Sequence, residues 1–553
     1  MHARFLSSLV MVGVAIVACG GNNNSFGDAG GPGGDGGNGA DAQFNPGDGG
    51  PNSDAGPPVD KCHVPPDDQG SGNAPTCTAP PQPPNSFDPV LKWSWDDPGS
   101  GGFFQGSMVT PIVANFTDDN GDGEVNLCDI PDVIVATEGG PIGATGTIYM
   151  LAGDTGKLEY TFDLAGQVDT SVNPALGDID GDGIPEVLAN DTAGHLVAFD
   201  NHGHVKWKST TIGAYKNVTA SYCHAIAIAD LDGDGHPEII VAFEVYDNKG
   251  NLKFGYDESS FDGSYWCPAN IAADLDGDGK QEVIFGNAAF HSDGSKYWSI
   301  AGPPGQPQVA DLDGDGKPEV FVSRQDGILI LSHDGQILSG PTQLYDPITS
   351  PNCWSKPGVV HDFDGDGHPD ISDSSCNHVS VYHVNASTHQ LSLLWTPMAV
   401  DDTSGLASST AFDFLGRGIA DGVYGDQDDL WVFDGANGSL ELQEPRSSGT
   451  LIEYPIVADV DNDGSADIVV VSNSGGDNSS NFKHTVDVYE DSQKRWIPTR
   501  RIWNQHAYSV NNVREDGTIP PHPKPSWQDL NTFRTNAEIQ GGQNCAPAPP
   551  NPH

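Results

Sequence analysis

The sequence predicts an all-β protein, a β-propeller of eight four-stranded blades, with seven blades as the alternative, whose loops bind calcium. Two observations support this fold class. An acidic nine-residue loop recurs along the chain, and short alternating strands separated by turns fill the intervals between its copies. Successive loops start 37 to 60 residues apart, for example at Asp274 and Asp311 and at Asp118 and Asp178. Because a unit of this size buries its faces only against its neighbours, the repeats predict blades that close into one ring.

The recurring loop is clearest at Asp311–Glu319, which reads Asp-Leu-Asp-Gly-Asp-Gly-Lys-Pro-Glu. Carboxylates occupy positions one, three, five and nine, and glycines allow the tight turn between them. Calcium takes roughly six to eight hard oxygen ligands, and the carbonyl at position seven supplies one more. The six complete copies have the predicted ligands Asp178, Asp180, Asp182 and Glu186; Asp230, Asp232, Asp234 and Glu238; Asp274, Asp276, Asp278 and Glu282; Asp311, Asp313, Asp315 and Glu319; Asp362, Asp364, Asp366 and Asp370; and Asp459, Asp461, Asp463 and Asp467.

Position two of these loops is apolar in every complete copy, which a solvated surface turn does not require. The six residues are Ile179, Leu231, Leu275, Leu312, Phe363 and Val460. We therefore expect each loop to be fixed to a packed core. The cofactor predicted for the protein is Ca²⁺ at several sites.

Two further copies depart from the pattern. The first has the twelve-residue spacing of an EF-hand or dockerin loop, with the predicted ligands Asp118, Asn120, Asp122, Glu124, Asn126 and Asp129. The second, Asp413–Asp421, has Leu415 and Arg417 at two ligand positions, so we expect it to have lost its metal. There we expect the guanidinium of Arg417 to supply the positive charge between Asp413 and Asp421; a decayed loop with Arg417 in solvent is the alternative.

The chain divides into four predicted regions: 1–18, a lipoprotein signal peptide; 19–84, a disordered tether rich in Gly, Asp and Pro; 85–498, the propeller; and 499–553, a C-terminal extension or cap. The run Ile16-Val17-Ala18-Cys19 resembles a bacterial lipobox, which implies lipidation of Cys19. A plain signal peptide is the alternative. The strand predicted around Trp93 precedes the first repeat, and we expect it to pair with the last blade and close the ring.

The loops, together with the strands that follow them, resemble FG-GAP or VCBS-type repeats, which occur in integrin α-chain propellers and many bacterial surface proteins. The resemblance covers roughly residues 105–490 and rests on the Asp-x-Asp-Gly-Asp-Gly-x-Pro-Glu motif. It implies a propeller with calcium in the connections between inner strands, and it implies no catalytic activity.

The nine cysteines favour an exported protein with disulfides. Cys223 and Cys267 each precede a loop by seven residues, and Cys353 and Cys376 flank another loop, so both are plausible pairs. Cys62 and Cys77 are close enough in sequence to close a small loop.

The C-terminal segment is aromatic and basic in an otherwise acidic chain, from Arg500 to Tyr508. One interpretation is a cap packed on one face of the propeller. The other is a partner or glycan site built on Trp503, His506 and Tyr508.

The net charge of −53 argues against nucleic acid and against anionic membrane surfaces as partners, so membrane contact is expected through the lipid anchor only. No sequence motif for catalysis stands out. We therefore expect an exported, lipid-anchored protein, at the outer membrane or cell surface of a Gram-negative-type bacterium. Its expected role is an adhesion or interaction scaffold for a surface protein or glycan. A lyase-like polysaccharide-active enzyme and a lectin are the alternatives; an enzyme requires a deep axial pocket with convergent titratable groups.

Overall fold

The computed structural model describes residues 62–63, 76–78, 87–98, 105–139, 145–217, 223–256, 267–345, 356–375, 377–401, 408–475, 479–540 and 543–549. The predicted signal peptide, Cys19 and the proposed pair Cys353 and Cys376 lie outside these residues. Across the described part, strands dominate, and short 3-10 turns at Ala214–Asn217, Ser479–Asn481, Val510–Asn512 and Ser526–Gln528 are the helical elements. The all-β class predicted from the sequence is confirmed.

Eight four-stranded antiparallel blades form the ring. The first strand of the chain, β1 (Pro89–Trp95), belongs to the last blade. From the innermost strand outward, the first three blades contain β2 (Ile112–Ala114), β3 (Asp132–Glu138), β4 (Gly146–Ala152) and β5 (Leu158–Thr161) in blade 1; β7 (Ala175–Gly177), β8 (Glu186–Asn190), β9 (His195–Phe199) and β10 (Val205–Ile212) in blade 2; and β11 (His224–Ala229), β12 (Glu238–Val241), β13 (Glu244–Tyr246) and β14 (Leu252–Gly255) in blade 3. The next three contain β15 (Ile271–Ala273), β16 (Glu282–Phe285), β17 (Ala288–Phe290) and β18 (Lys296–Ser299) in blade 4; β19 (Gly305–Ala310), β20 (Glu319–Arg324), β21 (Gly327–Ser332) and β22 (Ile337–Thr342) in blade 5; and β23 (Val359–His361), β24 (Asp370–Ser374), β25 (Val379–Val384) and β26 (Leu391–Trp395) in blade 6. The last two contain β27 (Ser409–Phe412), β28 (Asp421–Gly425), β29 (Asp429–Phe433) and β30 (Leu440–Pro445) in blade 7, and β31 (Ile456–Ala458), β32 (Asp467–Val471) and β33 (Val486–Asp491) in blade 8. A two-residue strand, β6 (Val172–Asn173), pairs in parallel with β11.

The ring closes where β1 becomes the outermost strand of blade 8. It runs antiparallel to β33, with Pro89 opposite Asp491 and Trp95 opposite Val486. This is the pairing that the sequence predicted for the strand around Trp93. Because the two ends of the propeller share one sheet, the ring has no free blade edge at its seam.

Aromatic side chains from outer strands join successive blades. In six blades, such a ring packs over a glycine in the turn before the outer strand of the next blade; the pairs are Trp93 on Gly156, Phe162 on Gly203, Trp207 on Gly250, Phe254 on Gly294, Trp298 on Gly335 and Trp395 on Gly438. Each of these glycines has a positive φ, between 66° and 82°, so both the backbone and the close contact favour glycine there.

The C-terminal extension lies in the central channel, against the innermost strands. Its backbone pairs with innermost strands of different blades, at Trp503 with Val113 in blade 1 and at Phe533 with Val360 in blade 6. It ends in a hairpin of β34 (Glu538–Gln540) and β35 (Gln543–Cys545).

Three disulfides join distant parts of the described chain. Cys223 pairs with Cys267, as expected. Cys62 and Cys77 do not pair with each other, because the ring brings other partners closer: Cys62 pairs with Cys128, and Cys77 pairs with Cys545. Within the described residues, no helix is both long enough and apolar enough to span a bilayer.

Candidate metal centres

Each complete loop connects the innermost strand of a blade to the second strand, and backbone hydrogen bonds fix its shape. In blade 5, the carboxylate of Asp311 accepts hydrogen bonds from the amides of Gly314, Asp315 and Gly316 at 2.7, 3.1 and 2.9 Å. One oxygen of Glu319 accepts the amide of Leu312 at 2.8 Å. The backbone of the loop therefore holds the carboxylates at positions one and nine in place. The buried side chain at position two explains why that position is apolar.

The same bonds recur in the other complete loops. The carboxylate at position nine accepts a hydrogen bond from the backbone amide at position two. The pairs are Glu186 with Ile179, Glu238 with Leu231, Glu282 with Leu275, Asp370 with Phe363 and Asp467 with Val460. The carboxylate at position five accepts a hydrogen bond from the backbone amide at position seven. The six aspartates that do so are Asp182, Asp234, Asp278, Asp315, Asp366 and Asp463.

Carboxylates at positions three and nine converge, and in three blades a histidine joins them. The ligand atoms of Asp276, Glu282 and His291 lie within 4.8 Å of one another, as do those of Asp313, Glu319 and His389, those of Asp364, Asp370 and His383, and those of Asp178, Asp180 and Glu186. One oxygen each of Asp232 and Asp461 is buried without a hydrogen-bond partner among the described residues. Acceptors left in this state fit a hard cation.

Burial and mutual repulsion raise the free-energy cost of ionising the carboxylates in these loops. Burial, reinforced by the neighbouring aspartates, raises the pKa of Glu319 and of Asp370 to about 8. Burial raises the pKa of Asp459 to about 7, and that of Asp362 to about 6. A cation placed among the carboxylates offsets both effects.

Lysines approach the acids in three blades, a feature that sequence reasoning missed. Lys206 Nζ lies 2.7 Å from Glu186 Oε1 and also pairs with Asp180. Lys253 contacts Glu238 at 2.6 Å and Asp232 at 3.2 Å. In blade 8, Lys92 pairs with Asp461 and lies 3.2 Å from Asp467. The signal in the sequence was a lysine that directly follows an apolar residue in the outer strand, as in Val205-Lys206, Leu252-Lys253 and Leu91-Lys92.

In the altered loop of blade 7, an arginine pairs with the acids, as the lysines do in the other three blades. Arg417 donates to Asp421 at 2.5 Å and to Asp434 at 2.7 Å. Asp413 instead accepts the backbone amides of Arg417 and Gly418. The guanidinium therefore binds Asp421, as expected, but its second carboxylate is Asp434 rather than Asp413.

Blade 1 contains a site residue that the sequence analysis did not identify. Asp132 begins β3 and accepts the amide of the buried Phe116 at 3.0 Å, the bond that a position-nine acid makes elsewhere. Residues 118–129 therefore lie within a loop of the same kind that is enlarged by an insertion. Asp118 accepts the amides of Gly121 and Gly123 at 2.7 and 2.9 Å, so the insertion also folds as a compact acidic turn. In the insertion, Asp122 and Glu124 are exposed and Asp129 is buried.

The three C-terminal residues suggested as a partner site do not form one. Trp503, His506 and Tyr508 are fully buried, and the rings of Trp503 and Tyr508 stack with centroids 4.3 Å apart. Burial also holds the pKa of His506 well below its usual value. These side chains are the core of the extension inside the channel, which agrees with the cap interpretation.

The fold and these loops define a β-propeller in which blades carry an acidic loop between their two inner strands. The model of FG-GAP-like repeats matches residues 178–241 and 311–372, which contain the loops of blades 2, 3, 5 and 6. The chain is a β-propeller that contains FG-GAP-like repeats.

Solved structures share this fold. The V. cholerae biofilm matrix protein Bap1 is 23% identical, with a TM-score of 0.70 over 84% of this chain and 100% of that one. A rhamnogalacturonan lyase of Bacillus licheniformis is 14% identical, with a TM-score of 0.50 over 83% of each chain. None of the curated proteins compared with the chain matches it in sequence.

Proposed function

We propose that the protein is an exported, calcium-loaded propeller that acts as an adhesion or interaction scaffold for a surface protein or glycan. The observation that carries this proposal is the repeated loop, with two carboxylates fixed by backbone amides and others converging on them. Loops of this kind tie the two inner strands of a blade together through their own hydrogen bonds.

Calcium fits the donor set. The carboxylates at positions one, three, five and nine and the carbonyl at position seven would hold the ion in six loops. When bound, the ion supplies the positive charge that closely spaced carboxylates require. The chain itself contributes the rigid loop, the buried residue at position two and the bonds that aim the ninth carboxylate.

Export is supported by the three disulfides, which persist in oxidising compartments. The name of Bap1 places that protein in a biofilm matrix, and a comparable location suits this chain. Lipidation at Cys19 and attachment to the outer membrane remain predictions from the sequence.

An interaction role is favoured over catalysis because the extension occupies the channel. Trp503, His506 and Arg534 of the extension are fully buried, and the extension bonds to innermost strands, which narrows the space that an enzyme of this fold would need for substrate. The fold shared with a lyase extends to the backbone arrangement alone.

The test is retention of the purified protein on intact cells and on extracted matrix polysaccharide, in millimolar calcium and in excess chelator. We expect retention that requires calcium. The same samples are assayed for unsaturated sugar products by ultraviolet absorbance. Release of such products, or absence of retention on every surface, would refute the scaffold role.

A further inference from the structure

A cleft lies where the extension passes the innermost strands of blades 3, 4 and 5. Its cavity volume is about 80 Å³, and it is partly open to solvent. Its walls include Ala272 of β15, Val309 of β19, and Asn512 and Trp527 of the extension. Trp527 is largely buried, whereas His522 at the rim is exposed.

Elsewhere in the channel, the extension accepts hydrogen bonds from backbone amides on the inner edge of the innermost strands. The amide of Val113 donates to the carbonyl of Trp503 at 2.9 Å, and that of Leu176 donates to Asn504 at 2.8 Å. In blade 3, the amide of Ile228 donates to Gln505 Oε1 at 2.8 Å.

The equivalent residues of blades 4 and 5 face the cleft instead. Ala272 stands opposite Val283, and Val309 opposite Val320, in the register in which Ile228 stands opposite Ile239. In that register, the amide and carbonyl point away from the residue's own sheet and toward the channel. Among the described residues, none forms a hydrogen bond with these groups of Ala272 or Val309. Val309 is buried and Ala272 is half-buried, so these two edges are open positions for a ligand or ordered water.

Side chains add further unmet acceptors beside the two edges. Asn511 Oδ1 and Asn512 Oδ1 are buried without a hydrogen-bond partner among the described residues. The one ammonium group of the lining, on Lys524, is paired with Asp529 at 2.8 Å. Trp527 contributes an apolar wall. The cleft therefore combines donors, acceptors and an aromatic surface, and its lining also includes Asp274 of the acidic loop in blade 4.

We propose that this cleft binds a neutral saccharide. Each hydroxyl of a sugar both donates and accepts, which suits strand edges that present an amide beside a carbonyl. The C–H face of a pyranose packs against an aromatic ring such as that of Trp527. An anionic ligand is disfavoured by the net charge of −53 and by the pairing of Lys524. The inference rests on the proposed scaffold function, for which it names a ligand class and a site.

An extended peptide is the main competitor. A peptide strand would satisfy one open edge by continuing a sheet. The two edges belong to different blades, however, and a compact polyol can reach groups on both.

The test uses the full-length protein in saturating calcium with a panel of neutral mono- and oligosaccharides, polygalacturonate and an unrelated extended peptide. Saturation-transfer NMR identifies binding, and calorimetry measures Kd. We expect neutral sugars to bind and the polyanion and peptide not to bind. Asn512→Leu, which keeps the side-chain size but removes its acceptor, should weaken sugar binding about tenfold. Trp527→Phe should weaken it less, and Gln528→Ala, at an exposed neighbour outside the cleft, should leave Kd unchanged.

Sugar binding that is equally tight in wild type, Asn512→Leu and Gln528→Ala would overturn the proposed site. Binding of the peptide alone, or of no sugar in the panel, would overturn the ligand class. Melting curves show that each variant is folded. If the variants lose sugar binding but still adhere to cells, the protein is a scaffold whose adhesion does not use this cleft. If adhesion fails while sugar binding persists, the proposed scaffold function is wrong and the proposed sugar site is still supported.

Discussion

Arg417 donates a hydrogen bond from Nη2 to Oδ1 of Asp421 at 2.5 Å, in the blade where the acidic loop has lost two carboxylates. Asp421 is fully buried and is the position-nine acid of this loop. Its pKa is raised by burial and by the nearby Glu441, so the guanidinium offsets a charge that the fold would otherwise leave uncompensated. The arginine thus occupies the role that we propose for calcium in the other blades.

We expect Arg417→Ala to destabilise the protein by about 2 kcal/mol even in saturating calcium, because it strands a buried carboxylate. Chemical denaturation monitored by tryptophan fluorescence measures the change. The double variant Arg417→Ala with Asp421→Asn should recover much of the loss, and Leu415→Asp alone should add no calcium. An unchanged free energy of unfolding in Arg417→Ala would contradict the role of internal cation.

Calcium removal should lower the melting temperature. At a calcium concentration ten times Kd, each independent site contributes about 1.4 kcal/mol to the folded state, and extracellular sites of this kind have Kd of roughly 10⁻⁴ to 10⁻³ M. Differential scanning calorimetry across millimolar calcium, with magnesium as the control ion, gives the dependence. A melting curve that is identical in calcium and in chelator would exclude metal from these loops.

Lys206 should compete with calcium in blade 2, because its ammonium contacts Asp180 and Glu186. We expect Lys206→Met to lower the melting temperature in chelator, where two carboxylates lose their counter-charge, and to increase the rise produced by calcium. Lys249→Met is the matched control: Lys249 is an exposed lysine in the turn that precedes β14. An equal calcium response in both variants would mean that the lysine and the ion do not share the site.

Glu538 should make stability depend on pH. Burial, with a smaller contribution from Asp413, raises its pKa from 4.5 in the unfolded chain to about 9 in the folded one. The folded state then binds this proton more tightly, so its contribution to stability declines as pH rises from 4.5 toward 9. We expect Glu538→Gln to melt progressively higher than wild type between pH 5 and pH 9. The result to look for is the difference between the two melting temperatures at each pH; a constant difference would show that Glu538 titrates normally.

The stacking of Trp298 on Gly335 should be sensitive to a single methyl group. Gly335 has a φ of 82°, and an added Cβ would lie 2.6 Å from the Trp298 ring. We expect Gly335→Ala to cost about 2 kcal/mol or more, from backbone strain and overpacking together. Gly166→Ala, at a similar φ of 72° with open space around it, isolates the strain. Equal effects in the two variants would mean that the contact between blades contributes nothing.

The repeats made the blades predictable because each acidic loop marks the same point of a local unit. The ninth carboxylate and the buried second residue lie within one nine-residue segment, so their pairing follows from sequence spacing alone. The ring closure was also predictable, since the strand around Trp93 precedes the first loop and had no blade of its own.

The features that were missed depend on contacts across the ring or on an insertion. Asp132 was hidden because residues 118–129 separate it from Phe116, to which it is bonded. Trp503 and Tyr508 resembled an exposed aromatic patch because nothing local shows that the extension enters the channel. The disulfide between Cys77 and Cys545 spans 468 positions and becomes possible only when the ring brings the two ends together.

The covalent links before β1 have a mechanical consequence. A pull on residues before Cys62 passes through its bond to Cys128 into blade 1, and does not reach the hydrogen bonds that hold β1 against β33. The bond between Cys77 and Cys545 also ties the segment leading to β1 to the end of the extension. Traction on the leading end of the chain would therefore strain covalent bonds before it could unzip the seam, and only reduction of both Cys62–Cys128 and Cys77–Cys545 would turn the same traction against that seam.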